Sequence, residues 1–422
     1  MRSIMLTLSM VCLINIFGED FASAGDWPQI LGPDRNGIAQ KESIAAAWPG
    51  GVPKFVWEHE VGQGFAGVSV SNGIAVVFHR VGNEEIAEGL NAATGKKLWR
   101  AASPTEYQPS FNPDAGPRAA PVIHDDLVYL YGARGGLSCV QLADGKKVWQ
   151  RDTYADFSSK RPSRGEPAEG YFGFASSPIV EGDKLLLNVG GSSKNAGIVA
   201  FDRKTGKTLW TATDERASYS SPVAATIDGQ RHVVFATRLK VVSVDPADGR
   251  VLFEFPFGEP GPSATGASPV VLGNSVFITG SYRFGAVLAR AGRSGAIEVW
   301  RSDEILSSQY TTAVDYKKML FGVHGRQDAA AAELRCVNPM TRQIAWKKSG
   351  FGYATMILAG DKLLIMKTDG ELVLAAAETK QYRELSRANL FDGRVTTRAL
   401  PSLSNGLFYV RDAKTLKCFD LK

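Results

Sequence analysis

Cysteine and histidine are scarce in this sequence, and beyond the first 24 residues no apolar run is long enough to cross a membrane. The five histidines stand at no metal-ligand spacing, so a zinc site is not expected. With 22% charged and 44% hydrophobic residues, the composition excludes a disordered chain and a coiled coil. Glycine, by contrast, is abundant at 44 residues, and 20 prolines accompany it without a three-residue period. This excludes collagen and predicts many short strands.

The first 24 residues predict a signal peptide. Arg2 supplies the positive charge, an apolar stretch follows from Ile4 to Phe17, and Ala22-Ser23-Ala24 forms a small-x-small cleavage site. The apolar stretch is too short to span a hydrocarbon core of ~30 Å. We therefore expect export to the periplasm or the cell exterior, with a mature chain that begins near Gly25. A lipid anchor on Cys12 is the alternative, although Val11 stands where a small residue should precede a lipidated cysteine.

A repeat of about 40 to 60 residues runs through the chain. Each copy has a short apolar strand, a turn of the Asp/Thr-Gly-Lys kind, and an apolar residue followed by Trp. The copies end at Trp99, Trp149, Trp210, Phe253, Trp300, Trp346 and Leu385. A second phrase, in which a small or hydroxyl residue precedes Pro-Val or a similar apolar pair, occurs eight times. Each unit thus predicts four strands, and the chain predicts an all-β fold, an eight-bladed β-propeller of four-stranded antiparallel blades.

The two ends of the chain are expected to share one blade. The last copy breaks off after Cys418 without a Trp strand of its own, and Lys54 to Trp57 precede the first complete blade. Pairing these ends closes the ring without a free edge. The predicted organisation is a signal peptide at 1–24, a lead segment at 25–52 and a single eight-bladed propeller domain at 53–422.

The cysteines of the mature chain are expected to be structural thiols. Cys139 and Cys336 each stand ten residues before a Trp. Aligned on the repeat, the other copies carry small residues at that place, namely Gly89, Ala200, Ser243, Ala289 and Ala375. Cysteines at equivalent places in different blades lie too far apart for a disulfide, whose Cα atoms are ~6 Å apart. The sequence therefore predicts close-packed sites and no bridge.

The phrase ending in Thr-Gly-Lys-x-Leu-Trp resembles the repeat of the pyrroloquinoline-quinone-like β-propeller family over nearly the whole mature chain. The stretch from Asp26 to Gly37 also looks like the opening of exported propellers of planctomycete-type bacteria. One branch of the family, the quinoprotein alcohol dehydrogenases, binds the quinone with Ca²⁺ in the funnel, covers it with an adjacent cysteine pair and uses an Asp as base. Another branch includes the barrel-assembly lipoprotein of the bacterial outer membrane, a non-enzymatic eight-bladed scaffold.

The residues lack the features of the first branch. They also lack a clear lipid-anchor cysteine of the second branch, which leaves a scaffold or binding role open. The chain has no Cys-Cys dipeptide and no acidic cluster at a spacing suited to Ca²⁺, and Asp144, Asp183 and Asp248 fall in turns. We therefore expect no cofactor and no metal, with pyrroloquinoline quinone and calcium as the alternative. The tryptophans are expected to pack the blades rather than to stack on a quinone.

A binding site is expected on one face of the ring. With strands named A to D from the channel outward, the B–C turns and the D–A connections emerge together. Basic residues occupy seven of the eight B–C turns: Arg80, Arg134, Lys194, Arg238, Arg283, Arg326 and Arg411. The long connections 101–117 and 152–174 add Arg118 and Arg164 together with aromatic residues. The predicted ligand-binding set is Arg118, Arg134, Arg164, Arg238, Arg283, Arg326 and Arg411.

These observations predict an exported, monomeric, non-enzymatic binding or assembly scaffold. Arginine forks and a net charge of +5 favour an anionic or carbohydrate ligand or a protein partner, and export makes nucleic acid unexpected. Three alternatives remain open. In the first, the basic turns serve only solubility. In the second, the long connections only plug the channel. In the third, the chain is an enzyme, either of quinoprotein type or a carbohydrate-active propeller.

Overall fold

Eight antiparallel sheets surround a central channel in the computed structural model, which confirms the eight-bladed propeller. The structure describes residues 25–109, 114–159, 172–191, 194–261, 263–293, 295–329, 331–393 and 395–422. The predicted signal peptide at 1–24 and Arg164 lie outside these ranges. Within them, no helix has the length and hydropathy needed to span a bilayer.

The strands follow the chain blade by blade. Blade 1 holds β3 (Ser69–Ser71), β4 (Ile74–Val81), β5 (Glu84–Asn91) and β6 (Lys97–Pro104), and blade 2 holds β7 (Val122–His124), β8 (Leu127–Tyr131), β9 (Gly136–Gln141) and β10 (Lys147–Asp152). Helix α1 (Thr153–Phe157) leads to blade 3, formed by β11 (Ile179–Glu181), β12 (Lys184–Gly191), β13 (Ala196–Asp202) and β14 (Thr208–Ala212). Blade 4 holds β15 (Val223–Ile227), β16 (Gln230–Ala236), β17 (Lys240–Val244) and β18 (Val251–Pro256).

The second half of the ring repeats this pattern. Blade 5 holds β19 (Val270–Leu272), β20 (Ser275–Thr279), β21 (Ala286–Gly292) and β22 (Gly295–Ser302), and blade 6 holds β23 (Val314–Tyr316), β24 (Met319–His324), β25 (Glu333–Asn338) and β26 (Gln343–Lys348). Blade 7 holds β27 (Ala354–Ala359), β28 (Lys362–Lys367), β29 (Glu371–Ala376) and β30 (Glu384–Asn389). Blade 8 holds β31 (Ser402–Ser404), β32 (Leu407–Arg411) and β33 (Thr415–Asp420), with β2 (Lys54–Glu60) as its outer strand.

The N-terminal strand closes the ring, as predicted. β2 pairs antiparallel with β33, from Lys54 opposite Asp420 to Glu60 opposite Thr415. Blade 8 is therefore built from both ends of the chain, and β33 has no open edge.

Tryptophan side chains join neighbouring blades, which confirms their packing role. In six blades, the indole Nε1 of the outer-strand tryptophan donates to a backbone carbonyl of the next blade around the ring, at 2.7–3.3 Å: Trp57 to Ala92, Trp99 to Leu142, Trp149 to Arg203, Trp210 to Pro246, Trp300 to Pro339 and Trp346 to Glu378. The acceptors lie in the turns between strands C and D. The repeated Trp of one blade and the repeated turn of the next blade thus form a single contact between the two blades.

The cysteine register is confirmed, but the small residue is not universal. Cys139, Cys336 and Cys418 are buried and lie directly opposite the Trp of their own blade. In blades 5 and 7, however, Leu288 lies opposite Trp300 and Leu374 lies opposite Ser386. The expected small residues Ala289 and Ala375 are wrong by one position, because these paired residues are twelve positions apart in the sequence, whereas Cys139 and Trp149 are ten apart.

We expect about three free thiols per mature chain in denaturant without reductant. In the native protein these thiols should not react with a thiol reagent at neutral pH, since burial raises the pKa of Cys139, Cys336 and Cys418 to about 12. Titration before and after unfolding checks both statements. A single thiol in denaturant would contradict the absence of a disulfide.

The lead segment at 25–52 crosses the central channel, a placement that the sequence did not predict. Trp27 pairs with Val70 on the inner strand of blade 1. Further along, β1 (Ile38–Ala39) adds a parallel fifth strand to blade 7, with Ile38 opposite Leu358. These contacts lie on separated blades, so the lead segment fills the inner channel.

Arg35 holds the middle of the lead segment against blades 3 and 4. Its side chain is only 2% exposed and donates to the carbonyls of Ser177, at 3.3 Å, Pro178 and Pro222, at 3.0 Å. Its Nε donates to Gln29 Oε1 at 2.7 Å. Burial lowers the pKa of Arg35 to about 9, and Glu181 opposes that shift. The Arg35 guanidinium therefore links the lead segment to the residues that immediately precede the inner strands β11 and β15.

Candidate functional site

The predicted basic turns fall into two groups, and only one of them faces solvent. Arg134 and Arg283 are exposed, and Arg134 pairs with Glu106 at 2.8 Å. Arg326 is half-buried, bonds Asp328 through Nε at 2.8 Å and lies 4.4 Å from the centroid of the Tyr282 ring. Arg164 lies outside the described residues.

Arg238 and Arg411 are buried, together with Arg80, so their expected placement at the surface is wrong. Arg238 donates to the Gly261 carbonyl at 2.8 Å, and Arg411 donates to the carbonyls of Phe78 at 3.2 Å and Gly62 at 2.5 Å. Burial lowers the pKa of Arg411 to about 10. These side chains fold inward because connections between blades leave backbone carbonyls, such as those of Gly62 and Gly261, without a strand partner, and one guanidinium can donate to several carbonyls at once.

A different set of residues surrounds the mouth of the channel on this face. Each D–A connection carries one residue four positions before the first residue of its inner strand, except in blade 7, where the longer inner strand starts one position after that residue. We call this set the mouth ring; in blade order it is Phe65, Arg118, Ala175, Tyr219, Gly266, Tyr310, Tyr353 and Arg398. Equivalent positions on eight blades converge around one axis, so the connections bring residues that are distant in sequence into contact.

Arginines on two blades flank the phenylalanine between them. The guanidinium carbon of Arg398, in blade 8, lies 5.2 Å from the centroid of the Phe65 ring, and that of Arg118, in blade 2, lies 5.4 Å from it. These distances are those of cation–π contacts. Arg118 was predicted from the sequence; Phe65 and Arg398 were not.

The connection between blades 1 and 2 holds Arg118 in place. β6 extends to Pro104, so this connection starts later than the predicted range 101–117. Arg118 donates to the Asp114 carbonyl at 2.7 Å and forms an ion pair with its carboxylate at 3.8 Å. Burial lowers the pKa of Arg118; Tyr107 and Asp114 oppose this shift, and the neighbouring charge of Arg398 adds to it.

Two tyrosines continue the ring on blades 6 and 7. The Tyr310 and Tyr353 rings lie 4.6 Å apart between centroids, and burial raises the pKa of both hydroxyls. The Tyr353 hydroxyl accepts from the Tyr310 backbone N–H at 2.7 Å. The Tyr310 hydroxyl donates to Gln327 Oε1 at 3.0 Å, and that oxygen also accepts from Arg398 Nε at 2.7 Å. Phenol, amide and guanidinium therefore form one continuous network.

Among the described residues, no side chains are arranged to hold a quinone with calcium. No group of three or more His, Cys, Asp or Glu side chains is placed to hold a metal ion within the described ranges. The three described cysteines are buried in different blades, and the lead segment fills the inner channel. Asp144 and Asp248 accept backbone N–H bonds within their own turns, at 3.0 and 2.9 Å.

Comparison with known proteins places the chain among propellers of two kinds. A family profile described as outer membrane protein assembly factor BamB matches residues 53–170 and 82–348. Quinoprotein alcohol dehydrogenase PedH of Pseudomonas putida is 25% identical over 196 residues, which are 44% of this chain and 30% of that relative. The chain therefore aligns with less than a third of the curated relative's length.

Solved structures share the fold across nearly the whole chain. BamB from Moraxella catarrhalis superposes with a TM-score of 0.60 at 16% identity, covering 88% of this chain and 98% of that one. Quinohemoprotein alcohol dehydrogenase ADHIIG from Pseudomonas putida HK5 superposes with a TM-score of 0.61 at 12% identity, covering 94% and 80%. At these identities the likeness shows the propeller architecture alone.

Proposed function

Since this chain belongs to the pyrroloquinoline-quinone-like β-propeller family, through the profile described as outer membrane protein assembly factor BamB, we propose that it is a non-enzymatic scaffold that binds a protein partner at the mouth ring. One observation carries this proposal: arginine and aromatic side chains converge at a channel mouth whose interior is filled by the chain's own lead segment. Arginine and aromatic residues dominate the binding energy of protein interfaces.

The filled channel favours a macromolecule over a small ligand. Small-molecule sites are deep clefts that enclose most of the ligand. Here Trp27 and Arg35 of the lead segment are each 2% exposed and occupy the interior, so recognition takes place on the rim. We further propose that the chain acts after export, as a monomer.

The quinoprotein dehydrogenase alternative is supported by the alignment of 196 residues with PedH and by the shared fold. It lacks support from the described side chains, because neither a cysteine pair nor a cluster of metal ligands lies in the part of the chain that the structure describes. The carbohydrate-active alternative has no specific observation in its favour.

Capture from the envelope fraction of the source cell tests the scaffold. The mature chain should retain a partner protein, and Phe65→Ala should reduce the captured amount at least about tenfold, as expected when an interface anchor is truncated. Arg293→Ala is the matched control: its side chain is 80% exposed in a C–D turn on the opposite face, so capture should be unchanged. Circular dichroism melting confirms that both variants are folded. Equal capture by wild type and Phe65→Ala would contradict the proposal.

A further inference from the structure

Arg398 is held at the mouth with an incomplete set of hydrogen bonds. Its Nε donates to Gln327 Oε1 at 2.7 Å, and its guanidinium lies against the Phe65 ring. Its terminal nitrogens Nη1 and Nη2 have no acceptor and no ion-paired carboxylate among the described residues. Two such nitrogens form the planar edge that binds a carboxylate in a bidentate manner. The side chain is therefore already oriented, so little conformational entropy is lost when an anion binds.

The other arginines near this mouth have acidic partners. Arg118 pairs with Asp114 at 3.8 Å, Arg326 with Asp328, and Arg134 with Glu106 at 2.8 Å. Arg398 thus forms no ion pair with a described carboxylate, although its charge contributes, after the Arg326 hydrogen bond, to the lowering of the Asp328 pKa. Besides burial, the positive charge of Arg398 contributes to the lowering of the Arg118 pKa. The two guanidinium groups, which lie on either side of Phe65, therefore repel each other. An anion beside Arg398 relieves this repulsion.

We infer that the terminal nitrogens of Arg398 bind a carboxylate of the partner polypeptide, an acidic side chain or a C-terminus, with Phe65 contacting an apolar group next to it. This inference rests on the scaffold function proposed above and names the chemistry that the mouth ring recognises. A carboxylate fits better than a phosphate, because one unpaired positive charge matches one negative charge. The adjoining aromatic wall also disfavours a second negative charge, since charge is costly to remove from water without a partner.

Small probes test the site without knowledge of the partner. Saturation-transfer NMR should show that 3-phenylpropionate, a carboxylate joined to an aromatic ring, binds the mature chain. Arg398→Gln should weaken this binding at least about tenfold, the loss of a charge-assisted bidentate contact. Arg293→Gln, on the opposite face, should leave the affinity unchanged. The uncharged 3-phenylpropionamide should bind wild type and Arg398→Gln equally weakly.

Two results would overturn the carboxylate site. One is equal binding of 3-phenylpropionate to wild type and Arg398→Gln. The other is tighter binding of phenyl phosphate than of 3-phenylpropionate, which would assign the site to a phosphate. If Arg398→Gln does not fold, Arg398→Lys, which keeps the charge but lacks the planar fork, should still weaken carboxylate binding.

The capture experiment separates this inference from the scaffold function. A partner whose capture depends on Phe65 but is unaffected by Arg398→Gln overturns the carboxylate contact and leaves the scaffold. Carboxylate binding that depends on Arg398, without any captured partner that depends on Phe65, overturns the scaffold and leaves the site. Dependence of both readouts on Arg398 supports both.

Discussion

Removal of residues 25–60 from the mature chain should abolish cooperative folding and cause aggregation. The deletion takes away β2, which pairs with β33 from Lys54 to Glu60. It also removes Trp57, whose indole donates to the Ala92 carbonyl of blade 1 at 3.0 Å. Blade 8 then presents an open edge, and the junction between the first and last blades loses its tryptophan contact. Size-exclusion chromatography and thermal melting measure the outcome.

A shorter deletion separates ring closure from channel filling. Removing residues 25–51 takes away β1, Trp27 and Arg35 but leaves β2 to close the ring. This variant should remain soluble and melt cooperatively at a lower temperature than the mature chain, because it loses buried apolar contacts of the lead segment. If the longer deletion melted at the same temperature as the shorter one, closure by β2 would not be what holds the ring together.

The blades and their closure were predictable because their signals are local. A Thr-Gly-Lys turn indicates a tight connection, and the apolar residues on either side of it indicate two strands. Because each blade built from one continuous stretch of chain contains one such phrase, the number of phrases gives the number of these blades. The incomplete last copy and the unpaired stretch near Trp57 identified the closing strand without any knowledge of distance. The strand register in blades 5 and 7 was not predicted, because the residues that pair there, Leu288 with Trp300 and Leu374 with Ser386, are two positions further apart than the equivalent pairs in blades 1 to 4 and 6.

The lead segment was not predictable from its own residues. It has no repeat, and Arg35 has no sequence neighbour that marks it as buried. Its partners, the carbonyls of Ser177 and Pro222, are 142 and 187 residues away. A buried guanidinium bound by backbone carbonyls leaves no compositional trace, because every residue type supplies the acceptor.

The candidate site was half predictable. The topology predicts which turns and connections emerge together, and Arg118 was among the predicted residues. A search for basic B–C turns, however, cannot distinguish Arg134, which is exposed, from Arg411, which satisfies carbonyls inside the ring. The more informative position lies four residues before the inner strand. It yields Phe65 and Arg398 once the strand starts are aligned by blade.

Gly206→Ala should lower the free energy of unfolding by about 2–4 kcal/mol, well beyond the usual effect of a turn substitution. Gly206 has φ +70°, where an L-residue costs roughly 1–2 kcal/mol. A Cβ there would also lie 2.7 Å from Trp149 Cδ2, so the indole that donates to the Arg203 carbonyl at 3.0 Å must move. The glycine of the repeated turn is thus required twice, by its own backbone and by the Trp of the preceding blade.

Gly182→Ala separates these two requirements, because Gly182 has φ +59° in an A–B turn with no atom within 4 Å of an added Cβ. It should show the backbone cost of roughly 1–2 kcal/mol alone. Gly95→Ala, whose Cβ would lie 2.6 Å from Trp57 Cδ2, should behave like Gly206→Ala. Urea unfolding of the three variants measures the difference. Equal destabilisation at Gly182 and Gly206 would mean that the turn alone demands glycine. A larger loss at both Gly95 and Gly206 means that the Trp of one blade specifies the turn residue of the next, which is why the two halves of the phrase recur together along the chain.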